Sequence, residues 1–477
     1  MSDFVPSFMA YDIRGVVGEQ LDAGVVRALG AAFARLVSAP SDSPVGRAST
    51  AVVVGRDMRA SSPELAAAFA AGVTDVGLDV VDIGLASTDM LYYAAGSLDL
   101  PGAMFTASHN PARYNGIKLC RAGAVPISED TGLAALRDDL RAESSPAVRP
   151  GTVTKRDLLA DYAGYLCGLV NLSGIRPLKV VVDAGNGMGG HTVPSVFAGL
   201  PLSLTPMYFE LDGTFPNHEA NPLDPKNLVD LCARVVEEGA DIGLAFDGDA
   251  DRCFVVDERG EPVSPSAVTA LVAVRELARE PGSVVIHNLI TSRGVPEIVN
   301  EHGGRPIRTR VGHSFIKQTM AETGAIFGGE HSAHYYFRDF WRADSGMLAA
   351  LHVLASLGER DGTLSELMAD YSRYAASGEI NSSVSDTAVR LAEVKQHYAP
   401  VSGVTMDELD GLTVALPDGS WFNLRPSNTE PLLRLNVEAA DAGAMAALRD
   451  DVLALVRGET GAGDVGVKAG PGPAERG

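Results

Sequence analysis

Three carboxylates at every second position carry the most specific chemistry in the chain: Asp247, Asp249 and Asp251 in Phe246-Asp247-Gly248-Asp249-Ala250-Asp251-Arg252. On an extended or tightly turned segment, a spacing of two sends alternate side chains to one side. Three hard oxygen ligands can then converge on one divalent cation, and Mg²⁺ suits such a set. Without a cation these charges repel one another, so a solvated acidic turn is the plainer alternative. A calcium EF-hand also competes, because the three aspartates match its first three ligand positions and Glu258 its twelfth. Arg252 opposes it by occupying the sixth position, where that loop needs glycine. The apolar flanks, 242 to 246 and 253 to 256, read as strands rather than helices.

A second group is Thr106-Ala107-Ser108-His109-Asn110-Pro111, followed by Tyr114-Asn115-Gly116-Ile117-Lys118. Asn-Pro and Asn-Gly mark turns, so Ser108 and His109 are expected on a tight, exposed loop, with Lys118 near enough to return to the same site. Adjacent Ser-His is not a triad geometry and the G-x-S-x-G elbow is absent, so the loop alone does not outrank an ordinary Ser/Asn-rich turn. In Gly328-Gly329-Glu330-His331-Ser332-Ala333-His334, the residues Glu330, Ser332 and His334 can bond the vicinal hydroxyls of a sugar. In Arg425-Pro426-Ser427-Asn428-Thr429-Glu430-Pro431, one guanidinium, two hydroxyls and an amide can wrap a phosphate, a plain Pro-bounded loop being the alternative. His313, in Val311-Gly312-His313-Ser314, is the weakest signal, since a lone histidine is more often structural.

The elements that must position these residues follow one rhythm. Short β-branched runs at 51 to 55, 179 to 183, 241 to 246 and 283 to 286 alternate with helical patterns at 63 to 77, 228 to 239, 265 to 279 and 295 to 302. Continuous apolar runs alternating with helices read as buried strands of α/β units. A helical run from 346 through 367 then gives way to short alternating segments, 412 to 416 and 432 to 437, and a helix at 444 to 456. That texture is a separate α+β domain. A Pro/Ser-rich stretch at 143 to 152 sets a first boundary near 153, and the Gly/Pro-rich 461 to 477 reads as a disordered tail.

Composition agrees. At 477 residues, and about 150 per domain, there is room for several domains. Apolar residues at 46% and charged residues at 21% are ordinary globular usage. Lys plus Arg at 39 against Asp plus Glu at 61 leaves a formal charge of −22, which disfavours nucleic-acid backbones and anionic membranes as partners. Cys120, Cys167, Cys232 and Cys253 show no CxxC spacing, and Met1 to Phe4 lacks the basic and apolar regions of a targeting signal. A reduced, cytoplasmic protein is the expectation. One decoy is Gly185-Asn186-Gly187-Met188-Gly189-Gly190, which satisfies G-x-G-x-x-G after a strand and keeps a nucleotide-dependent oxidoreductase open. The acidic residues that site would need, Glu210 and Asp212, come late.

In this order the four motifs resemble the α-D-phosphohexomutase superfamily, most closely its phosphomannomutase/phosphoglucomutase branch, from Tyr11-Asp12-Ile13-Arg14-Gly15 to Arg434. The resemblance implies three similar α/β lobes with mixed sheets plus a C-terminal α+β domain around a central cleft. It places the lobes at 1–153 with the phosphoserine loop, 154–256 with the metal loop, 257–370 with the sugar loop and 371–460 with the phosphate loop. It implies that Ser108 carries a phosphoryl group and that Mg²⁺ is held by Asp247, Asp249 and Asp251 beside Ser108. Arg252 would then neighbour the phosphoserine, with His109 and Lys118 serving proton transfer and charge stabilisation. Glu330, Ser332 and His334 would grip the sugar, and Arg425, Ser427, Asn428 and Thr429 the phosphate not being transferred. Tyr11, Arg14 and His313 would lie nearer the rim.

The implied activity is interconversion of mannose 6-phosphate and mannose 1-phosphate, with glucose phosphates as further candidates, through a hexose 1,6-bisphosphate that also regenerates the phosphoserine. Water is the competing acceptor, so the last domain is expected to close as a lid about a hinge at 368 to 380. The sugar loop differs from related branches at His331 and Ala333, and Asn288-Leu289-Ile290-Thr291-Ser292-Arg293 lacks a lysine that many dual-specificity members carry. The choice between mannose and glucose therefore stays open, as does monomer or dimer. A phosphoglucosamine mutase and a silent sugar-phosphate-binding protein are the remaining alternatives.

Overall fold

β-Branched runs followed by amphipathic helices build three sheets that repeat one pattern. The structure, a computed structural model, describes residues 7–9, 11–39, 49–140, 149–427 and 432–458. In the first lobe Ala51–Arg56 pairs in parallel with Asp79–Leu85 on one side and Gly102–Phe105 on the other, and Tyr114–Arg121 then runs antiparallel to Gly102–Phe105. The second lobe repeats this with Leu178–Asp183 between Leu202–Met207 and Ile242–Phe246, followed by antiparallel Cys253–Asp257. The third places Val284–Asn288 between Arg305–Thr309 and Phe327–Gly329, followed by antiparallel Tyr335–Phe337. The sheets are therefore mixed. The parallel strands are joined by helices, such as Ser62–Asp75 in the first lobe and Val229–Glu238 in the second, as parallel pairing requires.

The repeat explains where chemistry sits. In every lobe the motif occupies the connection between the third parallel strand and the antiparallel fourth, beyond the carboxyl end of the third. These connections are 106–113 for Ser108, 247–252 for the aspartates and 330–334 for Glu330 and His334. Carboxyl ends of strands in open α/β sheets are where ligands bind, because the helices cover the faces and leave that edge to loops.

Several boundaries differ from the sequence expectation. Val153–Lys155 adds to the first sheet beside Asp79–Leu85, so the first lobe outruns 153. Cys253–Asp257 and Pro262–Val263 close the second sheet as a hairpin, which carries the second lobe past 256. The run at 346 to 367 is two helices, Gly346–Gly358 and Leu364–Ala369. Gly362, at φ 112°, breaks it, and Thr363 starts the second helix with a capping box to Glu366. Most of the 143 to 152 stretch and all of the expected tail lie outside the described residues.

The chain divides into two compact units between Ser372 and Arg373, inside the range expected for a hinge. The first contains the three α/β lobes. The second is an antiparallel sheet in the order Ala375–Ala376, Leu432–Ala439, Trp421–Pro426, Leu412–Ala415, Thr405–Asp407, with Ile380–Ser383 also on Leu432–Ala439. The helices Thr387–Tyr398 and Ala442–Arg457 accompany it, and its core is built on Val394, Val414, Phe422, Leu433 and Val456.

Candidate active site

Ser108 stands at φ 50°, in the left-handed region that a residue with a Cβ rarely adopts, and it is 4% exposed. Ser108, expected on an exposed loop, is therefore buried, while Pro111, Ala112 and Arg113 of the same loop are exposed. Turn chemistry makes the loop tight, but the 247–252 loop of the second lobe packs on Ser108. Ser108 Oγ donates to Asp247 Oδ2 at 2.8 Å and accepts from Arg252 Nη2 at 3.2 Å. The same Nη2 donates to His109 Nδ1. A guanidinium has only donors, so that nitrogen carries no proton. Burial, then the charges of Arg252 and Arg14, hold the His109 ring well below the usual imidazole range. Arg14 braces the loop from the neighbouring strand Ile13–Val16, donating to Asn110 Oδ1 and, at 3.4 Å, to Ala107 O.

The aspartates lie on a hairpin between two strands, which disposes of the EF-hand. Oxygens from Asp247, Asp249 and Asp251 all lie within 4.8 Å of one another, and all three residues are buried. Burial pushes the Asp247 carboxyl up to about 8; Arg252 opposes this, and the charges of Asp251 and Asp249 add to it. Asp249 behaves oppositely. Burial works against its charge, but the Lys118 ammonium at 2.8 Å and the Thr88 hydroxyl at 2.5 Å hold it far below the usual carboxylate range. Lys118 also donates to Asp251 Oδ2 at 2.5 Å. Against its own burial, these two carboxylates raise its pKa well above the ordinary lysine value.

Three carboxylates thus share the charges of Lys118 and Arg252. Oδ1 of Asp249 and Oδ1 of Asp251 are buried without a hydrogen-bond partner among the described residues. Orphaned carboxylate oxygens of this kind are costly unless a cation takes them. A hard divalent ion fits this donor set. Close packing sets the metal loop against Ser108, since a Cβ on Gly248 would fall 2.5 Å from the Ser108 carbonyl oxygen.

The 330–334 loop meets the aspartate loop directly, through a β-bridge between Arg252 and His334. His334 Nε2 is 3.7 Å from Asp251 Oδ1, and its Nδ1 lies 3.0 Å from Ser332 Oγ. Glu330 is buried and accepts from Asn288 Nδ2 and Gly312 N at 3.2 Å each and from Tyr336 Oη at 2.8 Å. The His313 ring packs edge-on to Tyr11, centroids 4.5 Å apart. One unit therefore gathers Tyr11, Arg14, Ser108, His109, Lys118, the three aspartates, Arg252, His313, Glu330, Ser332 and His334.

Arg425 and Ser427 belong to the second unit. Arg425 lies opposite Arg434 on the paired strand, and both approach Glu379, at 3.6 and 3.5 Å. Asn428 and Thr429 lie outside the described residues. Arg434 is a partner the sequence reading passed over; its cross-strand register with Arg425 emerges only on pairing. Thr88, Tyr336 and the buried pair Lys317–Asp344 at 2.7 Å sit in no motif, and Asn288 begins the segment 288 to 293, where its own side chain carries no signal. Asp57 and Arg59 did carry a faint signal, a charged pair directly after a buried strand. The glycine run 185 to 190 is consumed by packing. Cβ atoms on Gly187 and Gly190 would fall 2.7 Å from Gly248 O and 2.3 Å from Phe209 O, so protein backbone occupies the approach a dinucleotide would need.

Comparison with known proteins agrees with this geometry lobe by lobe. The phosphoglucomutase/phosphomannomutase models for alpha/beta/alpha domains I, II and III match residues 6–146, 160–260 and 264–374, and that for the C-terminal domain matches 379–455. A phosphomannomutase of Escherichia coli is 40% identical over 463 residues, covering 94% of this chain and 99% of its own. A protein of Xanthomonas campestris named for phosphohexose mutases is 41% identical over 461 residues, covering 95% and 100%. The crystal structure of a phosphoglucomutase/phosphomannomutase family protein from Burkholderia thailandensis superimposes with a TM-score of 0.83 at 35% identity, covering 95% of this chain and 98% of that one. With all four domain models matched in order, and the motif of each α/β lobe at the same point of the repeated sheet, the chain belongs to the phosphoglucomutase/phosphomannomutase family.

Proposed function

We propose that this protein is a phosphomannomutase that interconverts mannose 6-phosphate and mannose 1-phosphate in the cytoplasm and accepts glucose phosphates as well. The observation that carries the reading is the placement of Ser108 Oγ between a carboxylate, Asp247, and a buried guanidinium, Arg252. Ser108 bears the phosphoryl group, loaded from a hexose 1,6-bisphosphate. When a sugar hydroxyl attacks, its oxygen bonds to phosphorus as the bond to Ser108 Oγ breaks, the hydroxyl proton passes to a neighbouring base, and a bisphosphorylated sugar forms. After the sugar turns about, Oγ attacks the other phosphate as the bond from that phosphorus to its sugar oxygen breaks; the freed sugar oxygen takes a proton, and the first phosphate stays on the sugar.

Oγ then has Asp247 Oδ2, at 2.8 Å, as the acceptor for its proton, because the lone pair of His109 Nδ1, 3.3 Å away, already accepts from Arg252. Lys118, held as an ammonium, can stabilise charge or give a proton but cannot take one. Arg252 faces the phosphoryl oxygens where charge gathers. Bound at Asp247, Asp249 and Asp251, Mg²⁺ would withdraw charge from the same oxygens. Glu330, Ser332 and His334 hold the sugar hydroxyls, with Tyr11, Arg14 and His313 beside them, and the Arg425, Ser427, Asn428 and Thr429 loop holds the second phosphate.

A coupled assay on mannose 1-phosphate and glucose 1-phosphate, with catalytic hexose 1,6-bisphosphate, tests this. Turnover should be faster with mannose 1-phosphate, vanish with a chelator, return with Mg²⁺, and be lost in Ser108→Ala while the circular dichroism spectrum is unchanged. Undiminished turnover by Ser108→Ala would end the proposal.

A further inference from the structure

Arg59, 1% exposed just past the carboxyl end of the strand Ala51–Arg56, lies beneath the loop that carries Ser108 and turns four of its five N–H donors to main-chain carbonyls there. Nη2 donates to the carbonyls of Ser108 at 2.8 Å and Asn110 at 2.7 Å, and Nη1 to those of Pro111 and Tyr114 at 3.0 Å each. Nε donates to Asp57 Oδ2 at 3.2 Å. Asp57, fully buried, also accepts from Arg59 N at 3.0 Å and Ser62 Oγ at 2.6 Å, so the fork is anchored from below. The Phe215 ring of the second lobe lies 5.1 Å from the guanidinium carbon.

Carbonyl oxygens carry partial negative charge, and a loop that must present a phosphate dianion gains by turning them away from it. Three carbonyls of this loop and that of Tyr114, which follows it, point into one cation, while the Ser108 hydroxyl donates to Asp247. The left-handed turn at Ser108 is disfavoured for a residue with a Cβ and persists only where its surroundings hold it. The Arg59 fork grips it through the Ser108 and Asn110 carbonyls, alongside Arg14 and the Thr106 hydroxyl that accepts from Ser108 N.

We infer that Arg59 is a positioning residue for phosphoryl transfer: it shapes the Ser108 loop through four main-chain carbonyls, so that the hydroxyl meets Asp247 and Arg252. The inference rests on the mutase reading and adds to it a residue that does not contact the reacting atoms. Lysine cannot replace it, because a point ammonium with three donors cannot serve four carbonyls and a carboxylate in one plane.

The test compares Arg59→Lys and Arg59→Ala with the wild type, each rate being divided by the folded fraction read from near-ultraviolet circular dichroism. In Arg59→Lys, kcat should fall by about 10²-fold, as a misplaced nucleophile implies. KM for mannose 1-phosphate should stay within about threefold, since the sugar contacts are untouched. In Arg59→Ala, millimolar guanidinium chloride should restore kcat by about tenfold, where equal ammonium chloride does not, because only the planar fork fits. If Arg59→Ala does not fold, the Arg59→Lys comparison decides alone. An Arg59→Lys kcat within about twofold of wild type, or a loss that is fully accounted for by unfolded protein, overturns the proposal. A wild type inactive on every sugar phosphate would overturn the mutase reading and this proposal together, whereas an active wild type with unaffected variants overturns this one only.

Discussion

His287 sits in the strand Val284–Asn288, 6% exposed, with its Nδ1–H donating to the carbonyl of Asn288 at 3.1 Å. Burial pushes its pKa from 6.5 down to about 4, against that hydrogen bond and with help from the Arg308 charge. A neutral ring in the fold and a titrating one in the unfolded chain tie stability to pH. The stabilisation is complete above 6.5 and is lost as pH falls toward 4, by about 3 kcal/mol for a shift of this size. Urea melts of the wild type should therefore weaken between pH 7 and pH 4.5, and His287→Asn, which keeps an N–H for the carbonyl, should flatten that slope. An unchanged slope would show that another group controls the acid limb. The aspartate cluster illustrates a second residue-scale point. Its composition was legible from the spacing of two, but the division of roles was not, since Lys118 reaches Asp249 and Asp251 from 131 and 133 positions away.

At the scale of elements, the design is a single sheet pattern used three times, with chemistry always placed on the loop after the third parallel strand. Two of those loops touch at Gly248, whose missing side chain lets the metal loop lie against the Ser108 carbonyl. Main-chain atoms cannot swing aside, so Gly248→Ala should force the loops apart. The expected result is a kcat lower by about 10²-fold and a loss of about 1–3 kcal/mol of stability from overpacking, read by steady-state kinetics and urea titration; full activity would contradict the packing. The strands themselves were readable, because runs such as Val52-Val53-Val54 and Val180-Val181-Val182 are apolar on both faces. Less readable were the ends. Val153–Lys155 is exposed throughout and enters the first sheet through main-chain pairing and one Thr154 hydroxyl bond to the Val80 carbonyl, and the helical run after Gly346 is interrupted by a glycine.

At the scale of the whole molecule, the chain carries separate cores on either side of Ser372. The clusters of the first unit stop at Tyr371, and the second unit closes its own around Phe422, Val414 and Val437. Phe422→Ala should cost about 3–5 kcal/mol and, in calorimetry, lower the transition of the second unit while leaving that of the first in place. A uniform shift would mean that the two unfold as one. What the amino-acid sequence by itself determined was the inventory of chemistry and its order. Each motif is a run of consecutive residues whose spacing, turn formers and ligand types are local properties: the aspartates at 247, 249 and 251, the Ser-His loop, the Glu-Ser-His loop and the arginine loop. Only the tertiary structure decided that Ser108 is buried, that its hydroxyl faces Asp247 and Arg252, that Arg252 bridges to His334, and that Arg59 gathers four carbonyls beneath the loop. These are contacts between residues tens to hundreds of positions apart. They are set by which strands lie side by side, and no local pattern records that.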